Sequence, residues 1–301
     1  MAIPRLDGND KNFVINSGFP YWQRGVSDTN TVGSTYKADR FYLYSDVGSV
    51  GTILRTLDAP ASLKSVKHCA EFALTTTPED GNGDTHRMIH RIESIFAQEL
   101  AGKPVSFYLW VKTVDFTGLK LELATPTGGA DVWSGKTIIH TDTASGFDDG
   151  TWKQIKFENI TLPSTVEDGL QIIVWTNGRS GAGVTNFKTT AWKLSIGTKA
   201  QDYSMAGRNL VEELQLCQRY YEKSYDVDTS IGATTRTGIA SGHYVDPSQT
   251  STLALEFEFK ERKRGIPVMS FYSPGTGAVN QYSRYNSGAA SSGTITSQAN
   301  L

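Results

Sequence analysis

Val105 to Lys112, VSFYLWVK, sets Val105, Phe107, Leu109 and Val111 on one side of an extended chain and Ser106, Tyr108, Trp110 and Lys112 on the other. Strand side chains alternate between faces, so this is the pattern of a strand with one aliphatic, core-facing side. Leu170 to Thr176, LQIIVWT, repeats it, with Leu170, Ile172 and Val174 opposed to Gln171, Ile173 and Trp175. Similar stretches at 40–45, 51–57, 67–75, 86–92, 119–124, 152–160 and 191–196 predict further strands. Turn-forming clusters separate them: DAP at 58–60, PEDGNGD at 78–84, TPTGGAD at 125–131 and GFDDG at 146–150. Many short strands between such turns predict a mainly β chain whose N-terminal part is a jelly-roll β-sandwich. Connections of that length suit crossovers between two sheets better than hairpins.

One helix interrupts this pattern. In Asn209 to Tyr225, NLVEELQLCQRYYEKSY, Asn209 is placed to cap the helix and Glu212 to reach back to the cap. Leu210, Leu214, Cys217 and Tyr221 recur at helical spacing and predict one apolar face. About four turns are marginal alone, so this face is expected to pack between β regions or between subunits. The expected organisation is a jelly-roll domain with an N-terminal arm over 1–205, a connector helix over 206–226, and a small C-terminal β region over 227–301. In that last region Ser251–Lys260 alternates Leu253, Leu255, Phe257 and Phe259 with Ala254, Glu256, Glu258 and Lys260. Ile266–Tyr272 reads as a second strand, and Ser230–Tyr244 as a Thr- and Gly-rich pair. Residues 287–301 are almost all small and polar, either a free tail or strands completed by a partner chain. A thin core behind a clamp-like helix favours an oligomer, with a homotrimer the expected form.

Composition narrows the function. The chain has 301 residues and a formal net charge of −2, which leaves no electrostatic footprint for nucleic acid. The dense basic run, Lys260, Arg262, Lys263 and Arg264, reads as a solvated strand end. Cys69 and Cys217 supply no disulfide framework and sit in apolar patterns, as buried thiols would. The opening residues MAIPRLDGND lack a charged-then-apolar leader, and no stretch approaches the roughly 18 apolar residues of a membrane span. Cytoplasmic synthesis without membrane insertion is the expectation, with release by lysis.

Asn12 to Gly25, NFVINSGFPYWQRG, followed by Ala38-Asp39-Arg40-Phe41, is similar to the opening of bacteriophage virion proteins of the tail-fibre or structural type with a carbohydrate-binding-module-like domain. The similarity resumes at Gly102-Lys103-Pro104 with VSFYLWVK, then at Thr151-Trp152-Lys153, Trp192–Tyr203 and Leu216–Tyr221, in the right order. The resemblance implies a jelly roll and a place in the virion as tail fibre, spike or capsid decoration, with other virion proteins as partners; binding of a host surface polysaccharide is the leading candidate chemistry for such a fold. Members carry an acidic residue near Ile196-Gly197; here the stretch reads WKLSIGTKAQDY, so no ligand role is carried over there.

Sugars stack their apolar faces on aromatic rings, which makes Tyr108, Trp110, Trp133 and Trp175 the candidate glycan-binding residues. Trp22 and Trp152 read as structural. Asp80-Gly81-Asn82-Gly83-Asp84 begins like a calcium loop, but Arg91 stands where the closing Glu belongs, so a plain turn is the default. His86 and His90 share a side of a strand, too far apart for joint zinc ligation. No cofactor or metal is expected. Glu256 and Glu258 share a strand face that Lys260 continues, more a charged stripe than a glycosidase pair. No G-x-S-x-G elbow occurs, and GRSGAG at 178–183 lacks a P-loop ending. The expectation is therefore a non-enzymatic protein; a polysaccharide-degrading tail enzyme or a stand-alone glycan-binding module is the alternative.

Overall fold

The computed structural model describes residues 11–30, 33–45, 50–76, 86–179, 185–203, 208–239, 258–286 and 289–294. The alternating stretches form strands, in chain order β1 Ser27–Asn30, β2 Gly33–Thr35, β3 Phe41–Ser45, β4 Val50–Thr56, β5 Cys69–Thr76, β6 His86–Ile92, β7 Pro104–Thr113, β8 Phe116–Pro126, β9 Lys136–Ser145, β10 Lys153–Thr161, β11 Leu170–Arg179 and β12 Thr185–Ile196. A short helix, α1 (Ser94–Ala97), links β6 to β7. The strands make two six-stranded antiparallel sheets, ordered β1-β4-β5-β12-β7-β10 and β2-β3-β6-β11-β8-β9, called the first and second sheet below. Successive strands switch repeatedly between sheets, as the long connections require of a jelly roll. Val105, Phe107, Leu109 and Val111 of β7 and Leu170, Ile172 and Val174 of β11 all enter the shared core, as their alternation predicts.

The resembled N-terminal motif supplies this sandwich with hydrogen bonds. A bulge in β12, where pairing with β7 shifts between Thr190 and Lys193, frees the backbone around Trp192. Trp192 N–H donates to the Ser17 carbonyl at 3.0 Å, and the Asn12 Nδ2 donates to the Trp192 carbonyl at 2.9 Å. Asn12 Oδ1 accepts from Val14 N at 3.0 Å and Leu194 N at 3.3 Å. The bulge turns the Trp192 ring into the core, edge-on to Phe41 and Phe107 at 5.1 and 5.4 Å between centroids. Trp22 is fully buried as well.

His86 and His90 lie on the core side of β6, both fully buried. His90 Nε2 accepts the Ile15 N–H at 3.1 Å, which requires the neutral ring. Burial, helped by the positive charges of Arg40 and Arg208, holds its pKa well below the ordinary value. The folded chain then binds no proton at this ring where the unfolded chain, with a pKa of about 6.5, does. Stability is therefore expected to fall as pH drops below about 6.5, and His90→Gln, which keeps an acceptor for Ile15, to flatten the fall of melting temperature between pH 7 and 5.

Contacts divide the chain into two compact units, Met1–Trp22 with Val26–Leu214, and Gln23–Gly25 with Gln215–Leu301. The boundary falls inside α2, Leu210–Gln218, which is shorter than the sequence suggests. Its capping box forms: Asn209 Oδ1 accepts from Val211 and Glu212 N–H at 2.8 and 3.0 Å, and Glu212 Oε2 accepts from Asn209 N at 2.8 Å. At its end two carbonyls are met by side chain and backbone from further along the chain. Gln218 O accepts from Lys263 Nζ at 2.6 Å and Arg219 O from Arg264 N at 3.1 Å, so these two carbonyls are satisfied from outside the helix.

The apolar face expected of this helix is not the one that is buried at its start. Leu210 and Val211 are 52% and 67% exposed, while Glu213 and Cys217 are buried and Leu214 and Tyr221 are half-buried. Glu213 reverses the pattern: its carboxylate accepts from Asn16 N at 2.6 Å and pairs with Arg208 at 2.9 Å.

In the second unit Arg24 stacks on Tyr221 at 3.7 Å, and Lys263 pairs with a buried Glu222, so this part of the basic run is not solvated. Ile266–Tyr272 is not a strand; only Tyr272 bridges, to Val279. Two strands that the sequence leaves unmarked, β13 (Gln281–Asn286) and β14 (Ala289–Thr294), pair with each other, so part of the polar tail is taken up within the chain. The Asp80–Asp84 loop, most of Ser251–Lys260 including Glu256, and most of GRSGAG lie outside the described residues.

Candidate functional site

The outward rows of the second sheet gather a set of rings and charges. Register places Tyr44, Arg87, Trp175, Lys120 and Thr143 across β3, β6, β11, β8 and β9 in one row. The next row is Tyr42, Ile89, Ile173, Glu122 and Thr141, and the third holds Arg91, Gln171, Ala124 and Ile138. In each strand the alternate residues point into the core, so these side chains stand outward.

Trp175 is the hub. Arg87, its neighbour on β6, lies 3.8 Å from the ring centroid, and Lys120, its neighbour on β8, lies 4.6 Å away. Trp175 Nε1 donates to Glu122 Oε2 at 3.1 Å. Arg87 also lies over Tyr44 at 4.7 Å, so its guanidinium has a ring on each neighbouring strand. Arg91 repeats the arrangement on Trp133 at 4.8 Å, while its Nε donates to Gln171 Oε1 at 2.9 Å. Trp133 comes from the 125–131 turn and its extension, held by Asp131, which accepts from Ser94 N and Oγ at 3.0 and 2.8 Å. Tyr36 meets Tyr42 edge-on at 4.9 Å.

Electrostatically the face is cationic. Lys120 and Lys136 approach Glu122 at 3.5 and 4.0 Å. Burial lowers the pKa of Lys136; Glu122 opposes that shift, but Arg87, Arg91 and Lys120 add to it.

The candidate aromatics therefore do not form one site. Trp133 and Trp175 share the outer side of the second sheet, whereas Tyr108 and Trp110 belong to the outer side of the first. Tyr108 is corrected outright: at 1% exposure it offers no ring face to a ligand. Its neighbour on β12, Lys193, is also buried and donates to the Asp202 carbonyl at 2.9 Å, where residues 197–203 return across the sheet. Trp110 is half-buried between Gln154 and Thr190.

Beside it the first sheet carries an ion-pair network. Asp58 accepts from Lys188 Nζ at 2.7 Å, Lys112 Nζ at 3.0 Å and Trp152 Nε1 at 3.2 Å. Burial would raise the Asp58 pKa, but these hydrogen bonds outweigh it and hold it at about 2. The carboxylate thus stabilises the fold above the unfolded value near 4 and loses that contribution as pH falls towards 2. Asp58→Asn is expected to cost about 1 kcal/mol at neutral pH in urea unfolding, with the difference vanishing near pH 2.

Sequence reasoning missed Tyr42, Tyr44, Arg87, Arg91, Lys120, Glu122 and Lys136. In HRMIHRI the arginines alternate with the histidines, a signal that fixes their side of β6 but not their cross-strand neighbours. Among the described residues no group of three or more His, Cys, Asp or Glu could hold a metal ion, and no helix is long and apolar enough to cross a membrane.

No protein-family model and no curated protein matches the sequence. Solved structures do resemble the chain. A carbohydrate-binding module described as CBM4 is 12% identical over 61% of this chain and 99% of its own, with a TM-score of 0.39. TmCBM61 in complex with β-1,4-galactotriose is 15% identical over 62% of this chain and 99% of its own, with a TM-score of 0.35. The enzymatically active domain of bacteriophage CBA120 tailspike protein 4 is 12% identical over 62% of this chain and 21% of its own, with a TM-score of 0.39.

Proposed function

We propose that this chain is a structural protein of a bacteriophage particle, as tail fibre, spike or capsid decoration, and that its sandwich presents the outer side of the second sheet to a glycan of the host surface. The placement in a virion rests on the motifs from Asn12 to Tyr221. The glycan reading rests on one observation: Trp175 and Tyr44 share an outward row, Trp133 packs on Arg91 of the third row, and hydrogen-bonding side chains are fixed among them. Rings supply flat apolar contact, and pre-positioned charges and amides supply directional bonds to hydroxyl groups. The role is binding without turnover. Glu122, the carboxylate at the centre of the face, is engaged by Trp175, Lys120 and Lys136.

The protein is expected to be a homotrimer, joined through the exposed start of α2 at Leu210 and Val211. Native mass spectrometry tests this, and a monomer at micromolar concentration contradicts it. Glycan-array binding by the intact protein tests the face. Trp110→Ala, on the opposite sheet, is expected to leave that binding unchanged. Immunolabelling of intact particles by electron microscopy tests the location. Release of reducing sugar from host polysaccharide would replace binding with catalysis.

A further inference from the structure

We infer that the glycan seated on the second sheet is acidic, a polysaccharide carrying carboxylate groups; the inference rests on the glycan-binding reading above. The argument comes from how the arginines are held. Arg87 lies over Tyr44 and Trp175 at 4.7 and 3.8 Å, and Arg91 over Trp133 at 4.8 Å. Besides their apolar contact, the rings act as clamps that hold the guanidinium groups in place. Stacking uses the faces of a guanidinium and leaves its N–H donors, which radiate in plane, free to grip a carboxylate with two parallel bonds.

Charge supports the same ligand. Arg87, Arg91, Lys120 and Lys136 crowd together, and the carboxylate that answers them on these rows, Glu122, is already shared between both lysines and Trp175. Burial lowers the pKa of Lys136, and the positive charges of Arg87, Arg91 and Lys120 add to that shift. An anion arriving beside these cations is attracted by all of them. Arg87 and Arg91 also lie on the same side of β6, roughly 13 Å apart by strand geometry, with Ile89 between them. A cation, an apolar patch and a second cation in line match a sugar chain whose charged units are separated by neutral ones. A chain with a net charge of −2 that gathers Arg87, Arg91, Lys120 and Lys136 on one face fits a local acidic ligand better than nucleic acid.

The test is calorimetric titration of the intact protein with a panel of bacterial capsular polysaccharides and uronate polymers, each paired with its carboxyl-reduced form, and with single-stranded DNA. The expected result is binding of an acidic polymer that weakens with added salt, at least tenfold weaker binding of its reduced form, and roughly tenfold losses in Arg87→Gln and Arg91→Gln. Arg87→Lys keeps the charge without the planar fork and is expected to bind more weakly than the parent at an unchanged melting temperature, which separates a lost contact from a lost fold. Equal binding of the reduced form overturns acidic recognition and leaves the glycan reading standing. Binding to none of the polysaccharides, or tighter binding to DNA, overturns both.

Discussion

Asn16→Ala is expected to lower the free energy of unfolding by about 4 kcal/mol, read as a reduced urea midpoint at unchanged slope. Asn16 is fully buried and sits at a φ of 59°, a left-handed conformation that asparagine tolerates and alanine does not. Its Nδ2 donates to the carbonyls of Tyr21 and Asp39, both at 2.8 Å, and its Oδ1 accepts from Tyr21 N at 3.0 Å. Alanine removes all three bonds, and a buried polar group left without a partner costs about 1–3 kcal/mol. The left-handed backbone adds about 1 kcal/mol more. Asn16→Gly, which relieves the backbone but not the bonds, is expected to be about 1 kcal/mol less damaging than Asn16→Ala. Equal losses would mean that the backbone conformation contributes nothing.

Trp175→Ala is expected to weaken glycan binding about 100-fold, close to 3 kcal/mol, with little change in melting temperature. The ring is half-buried on an outward row and lies outside the shared core, so its removal opens no core cavity. It does release three partners at once: Arg87 and Lys120 lose their cation–π contact and Glu122 its indole donor. Lys120 and Glu122 would then close on each other, and Arg87 would keep only Tyr44 beside it. The binding groups remain present but are no longer held in place, so the loss exceeds that of one stacking contact. Trp175→Phe, which keeps a ring but not the Nε1 donor, is expected to fall between. A Trp175→Ala protein that binds like the parent would remove this face from recognition.

The sandwich was legible in the sequence because burial on one side of each strand imposes a period of two, visible in VSFYLWVK and LQIIVWT without knowledge of their partners. The edge strand β9 escaped for the same reason. β9, KTIIHTDTAS, is largely exposed on both sides, and so carries no alternation to read. The helix cap was legible because its bonds are local, whereas the carbonyls at the end of α2 are met by Lys263 and Arg264, more than forty residues onward. At the start of that helix Glu213, held by Arg208 and the Asn16 backbone, is buried where Leu210 was expected, and a buried charge cannot be recognised from periodicity. The aromatic candidates were found by type, but the division of Trp110 from Trp175 depends on which strands fall in which sheet. Arg87 and Arg91 acquire their meaning only when register sets Tyr44, Trp175 and Trp133 beside them.

Hydroxyl-radical footprinting of the intact protein, with and without a bound polysaccharide, tests most directly whether the second sheet is the working surface. Trp133, Trp175 and Tyr44 are expected to be protected on binding while Trp110 and Trp152 oxidise at unchanged rates. Protection of Trp110 and Trp152, with Trp133 and Trp175 unaffected, would contradict it.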